Sequence, residues 1–267
     1  MPYRQTIAEA YNAGVEEEYN RLVETPLREA EYQLIVELLE EYIEPGSTVV
    51  DIGSGPGRYA EFLLNRNCTV GVVDLSANSL KAFSDRLNGS LQQKNILFNE
   101  VSCATQLNWI EDKLADAVLL MGPLYHLIQP VHQAVALKQC SRILKPGGKL
   151  FTIFLSKFPF ANPQHTGKES TMEHSVTHTM FKGYEVAQFR CWPCEAKEIL
   201  EKNHFETLRI RNLEGIGSFI APEKMDEYRD TVKKTSLIEQ LRKTSEEEAR
   251  LGYTHQFITV SRKNSPK

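Results

Sequence analysis

The residues with the clearest chemical potential stand in one run, Val49-Val50-Asp51-Ile52-Gly53-Ser54-Gly55-Pro56-Gly57-Arg58-Tyr59. Glycine at every second position permits positive φ and lets a ligand lie against the main chain. A helix opening directly after such a turn offers free N–H groups and a partial positive charge. Asp74 follows at the end of the next apolar run, where a carboxylate can accept hydrogen bonds from a ribose 2′,3′-diol. Glycine loop and strand-end acid together read as a site for an adenosine-bearing cofactor. A dinucleotide fingerprint, G-x-G-x-x-G, would need its third glycine at position 58, which is Arg58. That departure counts against a nicotinamide-dependent oxidoreductase. Asp51, two residues ahead of Gly53, suits a ligand with an ammonium and a sulfonium better than one with a pyrophosphate.

The surrounding pattern supplies elements to hold these residues. Residues 4–24 form a helical stripe through Ile7, Tyr11, Val15, Tyr19 and Leu22, Pro26 breaks it, and a second helix follows over 27–43. Short apolar runs then alternate with helical stretches. Strands are expected at 48–52, 69–73, 96–101, 115–121 and 149–155, with helices at 59–65, 76–87 and 131–144. Continuous apolar strands at βαβ spacing imply a mostly parallel sheet covered on both faces. Residues 156–183 are polar and lack a period, the kind of long loop that usually carries function. A helix at 194–203, a strand at 205–212, helices between 223 and 250 and a last strand at 256–261 follow. Ser236-x-x-Glu239 and Ser245-x-x-Glu248 fit the capping box. The expected fold class is α/β: a Rossmann-like, seven-stranded, mostly parallel sheet with helices on both faces and its last strand antiparallel.

Four motifs make a family resemblance specific. Asp51 to Gly57 resembles motif I of the class I S-adenosylmethionine (SAM)-dependent methyltransferases, and Val72-Val73-Asp74-Leu75-Ser76 resembles the ribose-binding strand end that follows it. Ala115 to Met121 is similar to the family's fourth strand, and Leu144-Lys145-Pro146-Gly147-Gly148-Lys149-Leu150 to the turn into its fifth. The segment Met121-Gly122-Pro123-Leu124-Tyr125-His126-Leu127 resembles a branch that acts on small molecules. The resemblance implies one SAM-binding domain over 1–267, with a helical cover at 1–46 and substrate-capping segments at 156–190 and 213–254. It implies a cofactor site of Tyr19, Asp51, Gly53, Ser54, Gly55, Gly57, Asp74, Leu75, Cys103, Ala104, Met121 and Gly122, no metal, and S-adenosylhomocysteine as product. Cys103 stands where the family usually has an acid for the adenine amino group. Tyr19 is expected to reach the cofactor carboxylate. Tyr125 and His126 fall where methyl and acceptor should meet, Tyr125 as a wall. His126 is either a base for the acceptor's proton or a positioning group.

Several residues have plainer readings. Tyr11 on the helical stripe reads as core, Arg58 as a solvated arginine, and His165, His174 and His178 as surface histidines of a lid. Cys191-Trp192-Pro193-Cys194 has redox spacing but lies outside the small βαβ context that motif requires. A zinc site there would need further ligands such as His174 and His178. The 267 residues carry 31 basic and 35 acidic side chains, a net charge of −4, with no basic stripe. That weighs against a nucleic-acid partner. Lack of an apolar run of membrane length, lack of a signal-like N-terminus and five cysteines at ordinary frequency lead to an expectation of a cytoplasmic protein with no membrane partner. The expected activity is methyl transfer from SAM to a small-molecule nucleophile by in-line displacement. The alternatives are an RNA or protein methyltransferase, or a non-catalytic SAM-binding protein. Neither the acceptor nor the oligomeric state is legible.

Overall fold

The structure is a computed structural model describing residues 2–158, 175–251 and 253–264. His165 and His174 lie outside the described residues. Two short helices, α1 (Pro2–Ala13) and α2 (Val15–Arg21), replace the single helix expected at 4–24. The break is at Gly14, where a Cβ would stand 2.8 Å from the Phe181 ring. Helix α3 (Pro26–Tyr42) starts with proline in its first turn, and the Thr25 side chain accepts from the Arg28 N–H.

The sheet is then built by alternation: β1 (Thr48–Ile52), α4 (Arg58–Asn65), β2 (Thr69–Asp74), α5 (Ala77–Leu87), β3 (Ile96–Val101), β4 (Ala115–Leu120), α6 (Pro123–His126), α7 (Pro130–Ile143) and β5 (Leu144–Ser156). These strands run parallel in the order β3-β2-β1-β4-β5. The Lys145–Gly148 turn bulges out of the ladder, since Ala115 pairs with Leu144 and Ala117 with Lys149. The remainder comprises β6 (Val176–Phe181), β7 (Tyr184–Cys191), α8 (Pro193–Lys202), β8 (Phe205–Asn212), α9 (Thr231–Thr244) and β9 (Gln256–Lys263). As expected, the last strand is antiparallel: β9 inserts between β5 and β8.

Among the described residues the sheet has nine strands rather than seven. The two extra ones are the β6–β7 hairpin, in a segment whose polar sequence shows no apolar alternation. It is antiparallel within itself, and β7 pairs with β5 only at Leu155 and Ser156. Leu155 also pairs with Gln256 of β9, so β7 occupies the other edge of β5, just beyond the end of β4. The hairpin thereby stands over the carboxyl ends of the central strands. Its inner face packs Val186, Phe181 and Tyr184 against Ile7, Ala10 and Tyr11 of α1.

The apolar strands are continuous because each face has its own cover. Val49, Ala117, Leu119 and Phe151 pack with α3, α4, α5 and α9. Their neighbours Val50, Val118, Leu120 and Leu150 pack with α7 and α8. The capping boxes at Ser236 and Ser245 do not start helices. Asp230 caps α9 instead, accepting from the Val232 and Lys233 N–H groups, which leaves Ser236 inside the helix and Ser245 at its C-terminus. No helix among the described residues is long and apolar enough to cross a membrane.

Candidate active site

The glycine turn sits where β1 ends, and its three glycines solve three different problems. All have positive φ: 75° at Gly53, 54° at Gly55 and 87° at Gly57. A Cβ on Gly53 would lie 2.3 Å from Pro123 Cγ, so this glycine lets α6 close onto the turn. A Cβ on Gly57 would lie 2.2 Å from the Phe83 ring, so this one lets α5 pack against the turn. At Gly55 the nearest neighbour is Glu18 Cγ at 3.7 Å, and that open side borders a cavity.

Two carboxylates frame the turn. Asp74, at the end of β2, accepts the Gly55 N–H at 2.8 Å through Oδ2 and the Ser76 N–H at 2.7 Å through Oδ1. Burial pushes its titration up, and these backbone donors work against that shift. Asp51, at the end of β1, is 2% exposed, and its Oδ2 has no hydrogen-bond partner among the described residues. Burial first, and the neighbouring Asp74 second, push its carboxyl up to about 8. A buried carboxylate oxygen without a donor is costly. Its place on a cavity wall makes it a receptor for a cationic or hydrogen-bond-donating group.

Of the residues singled out from sequence, Asp51, Gly53, Ser54, Gly55, Asp74, Leu75, Cys103, Ala104, Met121, Gly122, Tyr125 and His126 all line this one cavity. Gly57 does not, being turned toward Phe83. Tyr19 does not either. Its hydroxyl donates to Glu61 Oε2 at 2.9 Å, and its ring lies between the Arg58 and Arg86 guanidinium carbons, 4.1 and 3.9 Å from the centroid. Two cations on one ring hold it away from the cavity. Arg58 is likewise not merely solvated, since it lines the cavity and donates to the Tyr19 carbonyl at 2.8 Å.

The opposite wall comes from residues whose spacing did not advertise them. Tyr11, read as core, reaches the cavity, and its hydroxyl stands 3.0 Å from His126 Nε2. The other ring nitrogen, Nδ1, lies 3.4 Å from the Ala187 carbonyl. Burial pushes the His126 imidazole down to about 4, so it is neutral at neutral pH. Glu31, fully buried on α3, accepts from Arg28 and from Gln256 Nε2 at 2.6 Å, and Arg28 also reaches Glu214. Burial raises the titration of both glutamates while Arg28 opposes it. The one signal for Glu31 was its position on the helix face of Leu34, Ile35 and Leu38. The Tyr59 hydroxyl is buried without a partner among the described residues. None of residues 175–190 or 213–251 lines the cavity. They brace α1 and α3 from the layer outside, through Val186 on Ile7 and through Leu237 and Leu241 in the cluster of α3. Cys191 and Cys194 are free thiols, and no group of three metal-ligating side chains occurs among the described residues.

Residues 49–148 match the family model of a methyltransferase domain. Over 122 residues the chain is 32% identical to a ubiquinone biosynthesis O-methyltransferase of Xanthomonas oryzae pv. oryzae; that stretch covers 43% of this chain and 46% of the relative. The chain thus spans about half the length of the curated relatives it matches. Among solved structures, a SAM-dependent methyltransferase from Methanosarcina mazei superposes with a TM-score of 0.58 at 17% identity, covering 86% of this chain and 98% of the other. The Burkholderia thailandensis 1,6-didemethyltoxoflavin-N1-methyltransferase, with bound 1,6-didemethyltoxoflavin and S-adenosylhomocysteine, superposes with a TM-score of 0.59 at 16% identity, covering 99% and 90%. The sheet has the Rossmann-like fold of these SAM-dependent methyltransferases.

Proposed function

We propose that this protein transfers a methyl group from SAM to a small-molecule nucleophile by in-line displacement, releasing S-adenosylhomocysteine. The observation that carries the reading is the pair of strand-end carboxylates opening on one cavity. Asp74 is held by the turn itself, and Asp51 keeps a buried oxygen without a donor. These groups fit the cofactor: Asp74 would receive the ribose diol, Asp51 the ammonium, and Leu75, Cys103 and Ala104 the adenine. Met121 and Gly122 would border the sulfonium. SAM supplies an already activated methyl group, so the chain's own work is alignment and exclusion of water. Asp51 and His126, 2% and 6% exposed, are shielded from bulk water. The relatives named for ubiquinone biosynthesis and toxoflavin methylation act on small molecules, which supports an acceptor of that size. In this reading α1, α2 and α3 supply the cover of the site through Tyr11, Glu18 and Glu31, Tyr125 is a wall and His126 serves the acceptor's proton.

Calorimetric titration with SAM tests the proposal. Asp74→Ala removes the ribose acceptor and the carboxylate that orders the Gly55 and Ser76 N–H groups. Two charge-assisted hydrogen bonds at about 1.5–3 kcal/mol each predict a loss of at least a hundredfold in affinity. No binding of SAM to the wild type, or equal binding by Asp74→Ala, refutes the reading.

A further inference from the structure

His126 is not free to meet an acceptor directly, because both of its ring nitrogens are engaged. A carbonyl oxygen can only accept, so the contact of Nδ1 with the Ala187 carbonyl places the ring proton on Nδ1. Nε2 is then an acceptor, and Tyr11 donates its hydroxyl proton to it at 3.0 Å. With that proton committed, the Tyr11 oxygen shows the cavity only lone pairs. The edge-on packing of Tyr11 against the imidazole, with ring centroids 5.6 Å apart and planes at 81°, holds this geometry. Tyr125 lines the same cavity, its ring centroid 4.7 Å from that of His126. Tyr11, Tyr59 and Tyr125 make this half of the cavity aromatic, with Ile35 and Ile153 beside them.

We propose that Tyr11, delivered by helix α1, is the residue that receives the acceptor's hydroxyl, that His126 acts through it, and that the acceptor is a planar ring compound bearing that hydroxyl. The inference rests on the methyl-transfer reading and specifies its acceptor side. The acceptor O–H donates to the Tyr11 oxygen. As the carbon–oxygen bond forms, the carbon–sulfur bond breaks and its electron pair stays on sulfur. The acceptor's proton passes to the Tyr11 oxygen while the Tyr11 proton passes to His126 Nε2, leaving an imidazolium with one N–H on Ala187 and one on Tyr11. A hydroxyl acceptor matches this geometry: its O–H meets an oxygen whose own proton is committed, and its proton has the Tyr11–His126 path to leave by. Tyr11 comes into place only with α1 seated, by Tyr3 on the Ala187 carbonyl and by Arg4 Nη2 on Thr105 Oγ1 at 2.7 Å.

The test uses the full chain loaded with S-adenosylhomocysteine and compares phenol with anisole, its methyl ether, which lacks the donor. One hydrogen bond at about 1 kcal/mol predicts roughly fivefold tighter binding of phenol to the wild type. In Tyr11→Phe that preference falls to within about twofold. His126→Gln, whose side-chain carbonyl can still accept from Tyr11, keeps the preference, and His126→Leu loses it. Nitrogen-15 NMR of the imidazole should show the Nδ1–H tautomer in the loaded wild type. Absence of phenol binding, equal binding of the two probes, or a preference that survives Tyr11→Phe overturns the proposal. Loss of S-adenosylhomocysteine binding defeats the methyl-transfer reading itself, so the two failures are distinguishable.

Discussion

With Asp51 as the proposed receptor of the SAM ammonium, cofactor binding should release a proton, and the size of the release follows from the environment of that carboxyl. In the ligand-free protein its carboxyl titrates near 8, so at pH 7 the protonated form is favoured about tenfold, or roughly 0.9 proton per site. An ammonium placed against Oδ2 requires the ionised form. Binding at pH 7 should therefore release about 0.9 proton, and affinity should rise about tenfold, or about 1.4 kcal/mol, from pH 6 to pH 7. Over that interval the ligand's amino group, ordinarily titrating near 8, keeps its charge. Calorimetry in buffers of different ionisation enthalpy reads the released proton directly. The same group sets a stability signature. Its folded pKa lies above the 3.8 of an unperturbed aspartate, so its favourable contribution is full below that value and is lost as pH rises toward 8. Ligand-free protein should weaken across that window, and Asp51→Asn should flatten the dependence and abolish proton release. A wild type whose binding heat at pH 7 is the same in every buffer would refute the assignment of Asp51 to a cation.

Further expectations concern the turn and its neighbours. Gly57→Ala places a Cβ 2.2 Å from the Phe83 ring at φ 87°, whereas Gly89→Ala at φ 75° meets nothing within 4 Å. Chemical denaturation should show a loss of about 1 kcal/mol for Gly89→Ala and at least about 2 kcal/mol more for Gly57→Ala, and equal losses would contradict the packing role. Tyr19→Phe should leave SAM affinity within about twofold, since the hydroxyl serves Glu61. A tenfold loss by calorimetry would show that Tyr19 reaches the cofactor after all.

The cofactor half of the site was legible because its chemistry is local. Gly53, Gly55, Asp51 and Asp74 lie at strand ends, and a strand end followed by a glycine turn determines where backbone donors point. The acceptor half was not legible. Tyr11 reaches His126 across 115 residues of chain, and a tyrosine on an apolar stripe looks the same whether it ends in core or cavity. Tyr19 shows the converse: its position suggested the cofactor, but Arg58 and Arg86 capture its ring from two other elements. The β6–β7 hairpin escaped notice because β7 meets the sheet at only two residues of β5, too short a ladder to demand an apolar alternation. By itself, then, the sequence determined the positions of the central strands, their mostly parallel sheet and the carboxylates at their ends, because period and turn chemistry act over a few residues. Only the tertiary structure decided what faces those carboxylates across the cavity, because a hydrogen bond such as Tyr11 to His126 depends on how separate elements pack and leaves no trace in local spacing.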